Sequence, residues 1–585
     1  MTTLEELADE YIETDILIIG GGLGGKMAAI RAKEKGNVDV SIVEKANISR
    51  CGEVPSGLDE YPAVAHPKIN GISAEEYGSM RATDLSGLVR TDLSIITAKY
   101  GIKPIAVLEQ IGVRIHEDDG TYWMAGGRLA GSPQARFYDP TKKAGDFIKY
   151  RGADLHPKLA AAVRKRGVKV YERTMLTKLI TKNGSVVGAT AVNTRNGRFY
   201  VFKSKFVIMA TGPAARLTDS SPYVNYPNNL FYQWHCPANS GGGHVAAYRA
   251  GADLVNMEFI QVDVSNLGKY MGSNASKFAT LRNSKGEKPR QLLDINKLEG
   301  KTGGIQGGGV PFAPDLSSPM IERDVLKYCW EGAAASTLPE STCGFNSSNE
   351  APANLEPIIQ QGGLRAQDIE ITPWVKSFVR SMSGVMFDQN GETSANGLFV
   401  AGDMVGALPL YGSTGAFAWG YKIGDYLREL APQTKEKEFG KEQIEQILQE
   451  KKRVFAPMTQ QDGIDPLMVE NLARKIVTNY VGIHKIEPRM KRCIEYMRII
   501  REKLIPFVRA RSYHELMRAI ELQEIVDLAE IHAQSAIIRN ETRQGPSHHR
   551  IDFPNTDDQN WYGKVIVANM TDGKPNYTIQ KLEEA

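Results

Sequence analysis

The sequence predicts an α/β protein, with a Rossmann-like nucleotide-binding sheet in its N-terminal region and a helical C-terminal region. Three observations carry this. A short apolar run, Asp15 to Ile19, leads directly into Gly20-Gly21-Gly22-Leu23-Gly24-Gly25. Two later apolar runs, Phe206 to Met209 and Leu398 to Val400, each end at a glycine-bearing turn. From about 431 to 540, charged residues alternate with Ile, Leu and Met at helical spacing.

Asp15-Ile16-Leu17-Ile18-Ile19 has the continuous apolar character of a parallel strand buried on both faces. The glycines that follow read G-x-G-x-x-G. Gly20 permits the tight turn, Gly22 lets the backbone approach a pyrophosphate, and Gly25 lets helix and strand pack closely. A helix over Lys26 to Lys35 is expected next, with free N–H groups at its N-terminus for phosphate. A second strand, Val38 to Val43, ends at Glu44, where an acidic side chain would meet a ribose hydroxyl. Strand, glycines, helix, strand and acid in this order predict a dinucleotide site.

At 585 residues the chain is too long for one core, so two or three domains are expected. A composition of 42% hydrophobic and 24% charged residues is that of a soluble globular protein. The net charge of +3 gives no general drive toward nucleic acid or anionic membrane. No apolar run is long enough for a transmembrane segment. The acidic N-terminus lacks the apolar stretch of a secretory signal, which points to a cytoplasmic protein. Cys51, Cys236, Cys329, Cys343 and Cys493 form no Cys-x-x-Cys pair. No metal site or iron–sulfur cluster is therefore expected in this chain, and the cysteines read as reduced thiols.

FAD and NAD share the glycine fingerprint, and later segments discriminate between them. The strand ending Ala210-Thr211-Gly212 and the strand ending Ala401-Gly402-Asp403 resemble the later fingerprints of flavoproteins with the glutathione-reductase-like FAD fold. Gly241-Gly242-Gly243-His244 to Ala252, then Asn256-Met257-Glu258-Phe259, resembles the entry to the capping domain of succinate dehydrogenase and fumarate reductase flavoproteins. Glu322-Arg323-Asp324-Val325 resembles a helix start in that cap, and Ser381-Met382-Ser383-Gly384 with Asp388 the return from it. Glu541-Thr542-Arg543 and Arg550-Ile551-Asp552-Phe553-Pro554 to Trp561 resemble the family's C-terminal domain. Within the superfamily, Arg50-Cys51-Gly52-Glu53-Val54-Pro55-Ser56-Gly57-Leu58 is most similar to the alpha subunit of adenylylsulfate reductase.

This resemblance implies a Rossmann-like FAD-binding domain in residues 1–257 and 376–430, an inserted α+β capping domain over 258–375, and a helical C-terminal domain with an extended tail over 431–585. It implies FAD, held noncovalently because the segment Ser49 to Leu58 carries no flavin-linking histidine. The expected cofactor contacts are Gly20, Gly22, Gly24, Gly25, Glu44, Lys45, Cys51, Gly52, Ala210, Thr211, Gly212, Asp403, Ser413 and Thr414. It further implies two-electron oxidation or reduction of a small anionic substrate, with electrons exchanged with a separate ferredoxin-like iron–sulfur subunit. The alternatives are reduction of an activated C=C bond, or a flavin electron-transfer subunit with a vestigial substrate site. Three departures separate the chain from dicarboxylate enzymes: Asp263 and Val379 stand where substrate histidines would be, and Pro409 where an arginine would be.

Three residues are candidates for the chemistry. Arg323 matches the family's proton-donating arginine, or else is an ion-pair partner of Asp324 at a helix start. Arg543 lies in the substrate-edge motif, where its planar fork would hold an anion, or else it packs at a domain interface. His548, with its neighbour His549, is a candidate proton carrier because imidazole titrates near neutrality, or else both are surface histidines. Cys51 is read as a packing residue or a redox thiol near the flavin, Gly303 to Gly309 as a lid or a linker, and Lys491-Arg492 as a solvated face or a docking surface for an acidic redox partner.

Overall fold

The computed structural model describes residues 4–34, 37–52, 60–61, 65, 71–83, 85, 87–122, 148–150, 152–218, 236–267, 370–377, 382–409, 411–482, 484–544, 547–571 and 573–582. Arg323, Val379, Cys329, Cys343 and the glycine loop 303–309 lie outside these residues.

The first strand, β1, spans Glu10–Ile19 and is followed by helix α1, Leu23–Ala32, and strand β2, Val40–Glu44. Helix α2, Gly152–Lys165, leads into β3 (Lys169–Glu172), β4 (Thr174–Lys182), β5 (Ser185–Asn193) and β6 (Phe199–Met209). The sheet order is β3-β2-β1-β6-β5-β4, and the short strand Leu398–Val400 also pairs with β6. β1 is parallel to β2 and to β6, while β5 runs antiparallel to its two neighbours. β6 is shared along its length: Phe199–Lys203 pairs with β5, and Val207–Met209 pairs with Leu398–Val400.

β1 begins five residues before the expected Asp15, for a physical reason. Its first half pairs only with β6 and buries one face, so the pattern alternates, with Ile12 and Thr14 buried and Glu13 exposed. Glu13 bonds the nearly buried Lys203 of β6 at 2.8 Å. From Ile16 onward β1 has a strand on either side and buries both faces, which is the continuous run visible in the sequence.

Helix α3 spans Gly242–Arg249, and helix α4, Gly412–Leu430, lies against α1. Glycine makes that contact close. A Cβ on Gly420 would come 2.3 Å from the Gly24 carbonyl oxygen, and one on Gly424 would come 2.6 Å from that of Ala28. The C-terminal region contains α5 (Lys441–Phe455), α6 (Pro466–Val481), α7 (Glu487–Ile499) and α8 (Tyr513–Ile538). Asp465 caps α6 and Ser512 caps α8, each accepting from a backbone N–H of the first turn.

Lys564–Thr571 and Lys574–Lys581 form a hairpin that joins Leu254–Val255 and Gly384–Val385 in a four-stranded antiparallel sheet. Of the expected insertion, the described part is an antiparallel pair, Gln261–Leu267 with Glu370–Ser377. No helix among the described residues is long and apolar enough to cross a membrane.

Candidate functional site

The parallel strands end together. Ile19 is in register with Val43 of β2 and Met209 of β6, and Met209 with Val400. Loops leaving this edge line a cleft that is open to solvent. This is where an open α/β sheet binds its ligand.

The glycines of the first loop do different work. Gly20 has φ +105°, and a Cβ there would lie 2.3 Å from the Ala210 carbonyl oxygen. Gly25 faces the strand, where a Cβ would come 2.0 Å from the Gly20 carbonyl oxygen. The fold itself forbids a side chain at either position. Gly22 is different. It is the N-cap of α1 at an ordinary φ of −67°, and the nearest atom to its would-be Cβ is 3.8 Å away. Gly22 faces the cleft, and what a side chain would fill there is ligand space. With no side-chain cap on α1, the open N–H groups of its first turn are available to phosphate oxygens.

Glu44 lines the cleft and is held from two sides, accepting from the N–H groups of Gly21 and Ala46 at 2.6 Å each. Lys45 bonds the Ala238 carbonyl and forms a 2.9 Å ion pair with Glu521 of α8. Gly20, Gly22, Gly24, Gly52, Ala210, Thr211, Gly212, Asp403 and Ser413 also line the cleft. Three expected contacts do not. Gly25 packs against β1, Thr414 is fully buried in α4, and the Cys51 thiol donates to the Gly21 carbonyl at 2.8 Å. Burial raises the pKa of that thiol, so it stays protonated.

Arg543 and His548 lie in another layer, in the C-terminal region. Arg543 bonds both oxygens of Glu541, at 2.7 and 2.9 Å, and Asp558 at 2.7 Å. Arg539 joins Glu541 to Glu258. His548 is fully buried, with its ring 5.5 Å from Phe259 and Nε2 3.2 Å from the Arg539 carbonyl oxygen. Burial, with Lys485 and Arg539 nearby, drives its pKa well below the usual 6.5 and keeps the ring neutral. His549 is only partly buried and pairs with His484 at 2.8 Å between Nδ1 atoms. Neither Arg543 nor His548 lines the cleft.

The structure adds residues that the sequence reading missed. His156 of α2 and Glu524 of α8 both line the cleft, and Lys26 is buried in the first turn of α1. Burial pushes Glu524 up to about 7 against the pull of Lys45. Burial also acts on Glu521, but Lys45 and Arg216 hold it down at about 2. The available signals were a lysine among small residues after the glycine loop and two glutamates, three apart, on an otherwise apolar helix face.

The donor set fits FAD: a phosphate cradle at a helix N-terminus, a carboxylate at the end of β2, and a cleft running past Asp403 to Ser413. Adenylylsulfate reductase of Archaeoglobus fulgidus shares the fold, with a TM-score of 0.79 and 23% identity over 99% of this chain and 97% of that one. An uncharacterised FAD-dependent oxidoreductase of Methanocaldococcus jannaschii is 24% identical over 577 residues, 95% of this chain and 96% of the relative. The adenylylsulfate reductase subunit alpha of Megalodesulfovibrio gigas is 22% identical over 646 residues, 95% of this chain and 93% of the relative. The FAD binding domain model matches residues 15–279, and the fumarate reductase flavoprotein C-terminal model matches residues 471–584. With one signature on the sheet and the other on the helical region and tail, the chain belongs to the fumarate reductase and succinate dehydrogenase family of FAD-binding flavoproteins and is an FAD-dependent oxidoreductase.

Proposed function

We propose that the chain carries out two-electron redox on a small anionic substrate at noncovalently bound FAD, in the cytoplasm, exchanging electrons with a separate iron–sulfur protein. The observation that carries this reading is Gly22, a residue the fold leaves free to bear a side chain and the cleft does not. FAD supplies the two-electron chemistry when bound. The protein's part is to cradle the pyrophosphate at the N-terminus of α1 and to position the substrate. Noncovalent attachment is supported by the absence of a histidine between Ser49 and Leu58. A separate electron carrier is supported by scattered cysteines that offer no cluster spacing, and by a relative named as a subunit, adenylylsulfate reductase subunit alpha.

The proposed proton donor is Arg323, on the strength of the Glu322-Arg323-Asp324-Val325 match. Arg543 and His548 are proposed to support the substrate side from behind Phe259, because each is already committed to buried partners. Asp263 in the strand Gln261–Leu267 and Pro409 after the Gly402 turn replace groups that bind dicarboxylates. They favour a second reading, an electron-transfer subunit whose own substrate site is vestigial.

Acid precipitation of the purified protein should release FAD into the supernatant; flavin that stays with the pellet contradicts noncovalent binding. Reduced by a viologen, the flavoprotein should turn over fumarate far more slowly than about 10 per second, a typical enzymatic rate. Adenylylsulfate belongs in the same assay. Turnover of neither, with rapid electron exchange to an added iron–sulfur protein, would favour the electron-transfer reading.

A further inference from the structure

Beneath the glycine loop lies a buried cluster that the cofactor assignment does not use. Lys26 is fully buried in the first turn of α1. Its Nζ lies 2.6 Å from Nδ1 of His156 and 3.7 Å from Sγ of Cys51. No ion pair between Lys26 and a carboxylate is formed among the described residues, and the neighbouring thiol is protonated. His156, 1% exposed, lines the cleft. With Nδ1 taken by Lys26, the other ring nitrogen, Nε2, makes no hydrogen bond of normal geometry among the described residues, although the Ile48 backbone lies close to the ring. The ring sits beside the phosphate cradle: a Cβ on Gly52 would lie 3.7 Å from the Gly22 Cα and 3.9 Å from Cε1 of His156.

Burial pulls the Lys26 pKa below its ordinary value against the pull of Cys51 and Glu44; an ammonium that forms no ion pair, and a buried imidazole nitrogen without a well-placed partner, are each costly. Both costs fall if an anion enters the cleft at Gly22. An ammonium is a donor only, so a Lys26 that bonds Nδ1 leaves the proton of a neutral imidazole on Nε2. Burial and Lys26 push the His156 pKa down to about 2, so the ring is neutral.

We propose that His156 is a further cofactor-binding residue, whose Nε2–H donates to a pyrophosphate oxygen of the dinucleotide, and that Lys26 is the positioning residue that fixes this tautomer. The inference rests on the reading that the cleft takes FAD at Gly22. Its ligand chemistry is a diphosphate ester, and the competing contact, a carbonyl of the flavin ring, is separated from it by the test.

The experiment titrates flavin-free protein with FAD, followed by flavin fluorescence, for wild type, His156→Leu, His156→Gln and Gly22→Val. A hydrogen bond to a charged group predicts a dissociation constant for His156→Leu weaker by about 10- to 100-fold. His156→Gln keeps an N–H donor and should stay within a few-fold of wild type. Wild-type affinity in His156→Leu, alongside loss of binding in Gly22→Val, overturns the His156 assignment and leaves the cleft reading intact. Full binding in Gly22→Val sinks the cleft reading itself. An unchanged dissociation constant with a shifted flavin absorption spectrum would move the contact to the flavin ring and overturn the proposal. If His156→Leu does not fold, the 31P spectrum of bound FAD decides the matter: the pyrophosphate shifts should differ between wild type and His156→Gln, and identical shifts refute the contact. For Lys26, 15N-histidine spectra of the holoprotein should show His156 protonated at Nε2 and bare at Nδ1. That pattern should be lost in Lys26→Met, a change that packing alone would not produce.

Discussion

Gly20 and Gly22 stand two residues apart in one loop, yet they answer to different constraints. Gly20 holds a left-handed φ, and a Cβ there meets the Ala210 carbonyl, so Gly20→Ala should lower expression or melting temperature whether or not flavin is present. Gly22→Val should leave the flavin-free protein folded, with a circular dichroism spectrum like wild type, yet bind no FAD. A folded, flavin-replete Gly22→Val would remove the fingerprint assignment. Glu524 makes a second residue-scale case, through pH. Its folded pKa of about 7 lies above the usual 4.5, so the stability linked to its protonated form is complete below 4.5 and is lost as pH rises through 7. A shift of that size corresponds to about 3 kcal/mol. Glu524→Gln mimics the protonated form and should raise the melting temperature of the flavin-free protein at pH 8 by about 1–4 °C, with most of the difference gone at pH 5. Equal melting temperatures at pH 8 would mean that Glu524 is solvated in the folded protein. Glu521 has the opposite sign: held at about 2, it contributes stability that is present above 4.5 and fades as pH falls toward 2.

At the scale of elements, the sheet and the C-terminal helices share continuous apolar cores, and a buried ion network ties them together in addition. Arg216, in the loop after β6, bonds Glu470 of α6 at 2.9 and 3.0 Å and Glu521 of α8 at 2.6 Å, and donates to the Pro237 carbonyl. Removing one partner leaves buried charges uncompensated, which typically costs about 3–5 kcal/mol. Arg216→Ala should therefore melt well below wild type, while Arg428→Ala, which loses partly exposed pairs, should change little. Comparable losses in the two variants would show that the buried network does not tie the elements together. The network itself was not legible in the sequence, because Arg216, Glu470 and Glu521 are distant in the chain; the spacing of Glu521 and Glu524 on an apolar helix face marks the glutamate but not its partners. The sheet edge was legible, since Ile16–Ile19 and Gly20–Gly25 encode strand and turn within ten residues. The start of α1 was read three residues late, at Lys26, because glycine is a poor helix former and its close packing on Ile18 and Ala416 is a tertiary effect. The tail hairpin was missed although Thr571-Asp572-Gly573-Lys574 carries a turn signal, with Gly573 at φ +72° between the two strands, because neither strand alternates apolar and polar residues. Of the candidate site, the first-loop glycines and Glu44 follow from local spacing and Asp403 from the family resemblance; Glu524 and His156 reach the cleft only through tertiary packing.

For the whole molecule, the cleft is the place where distant parts of the chain meet. Its walls come from the ends of β1 and β2, from Thr174–Leu176 at the start of β4, from the loop after β6, from the segment that leads into the first turn of α3, from residues between Gly402 and Ala416, and from Glu524 of α8. Glu524 also bonds Ser240 at 3.1 Å, just before α3, and a Cβ on Gly242 would lie 2.1 Å from its carboxylate. A dinucleotide that contacts these walls is therefore held by the N-terminal sheet and the C-terminal helices together, and its binding energy becomes folding energy for both. At a free FAD concentration 1,000 times the dissociation constant, the linkage amounts to about 4 kcal/mol. FAD should accordingly raise the melting temperature. In hydrogen exchange it should slow the amides of α8 around Glu521–Ile525 as well as those of Gly20–Met27, although about 500 residues of sequence separate the two. Gly22→Val should show neither change, because it lacks the ligand and keeps the fold. Glu524→Ala should keep the protection at Gly20–Met27 and lose it in α8. If FAD protects the glycine loop alone in the wild-type protein, α8 is a neighbour of the cleft and takes no part in holding the cofactor.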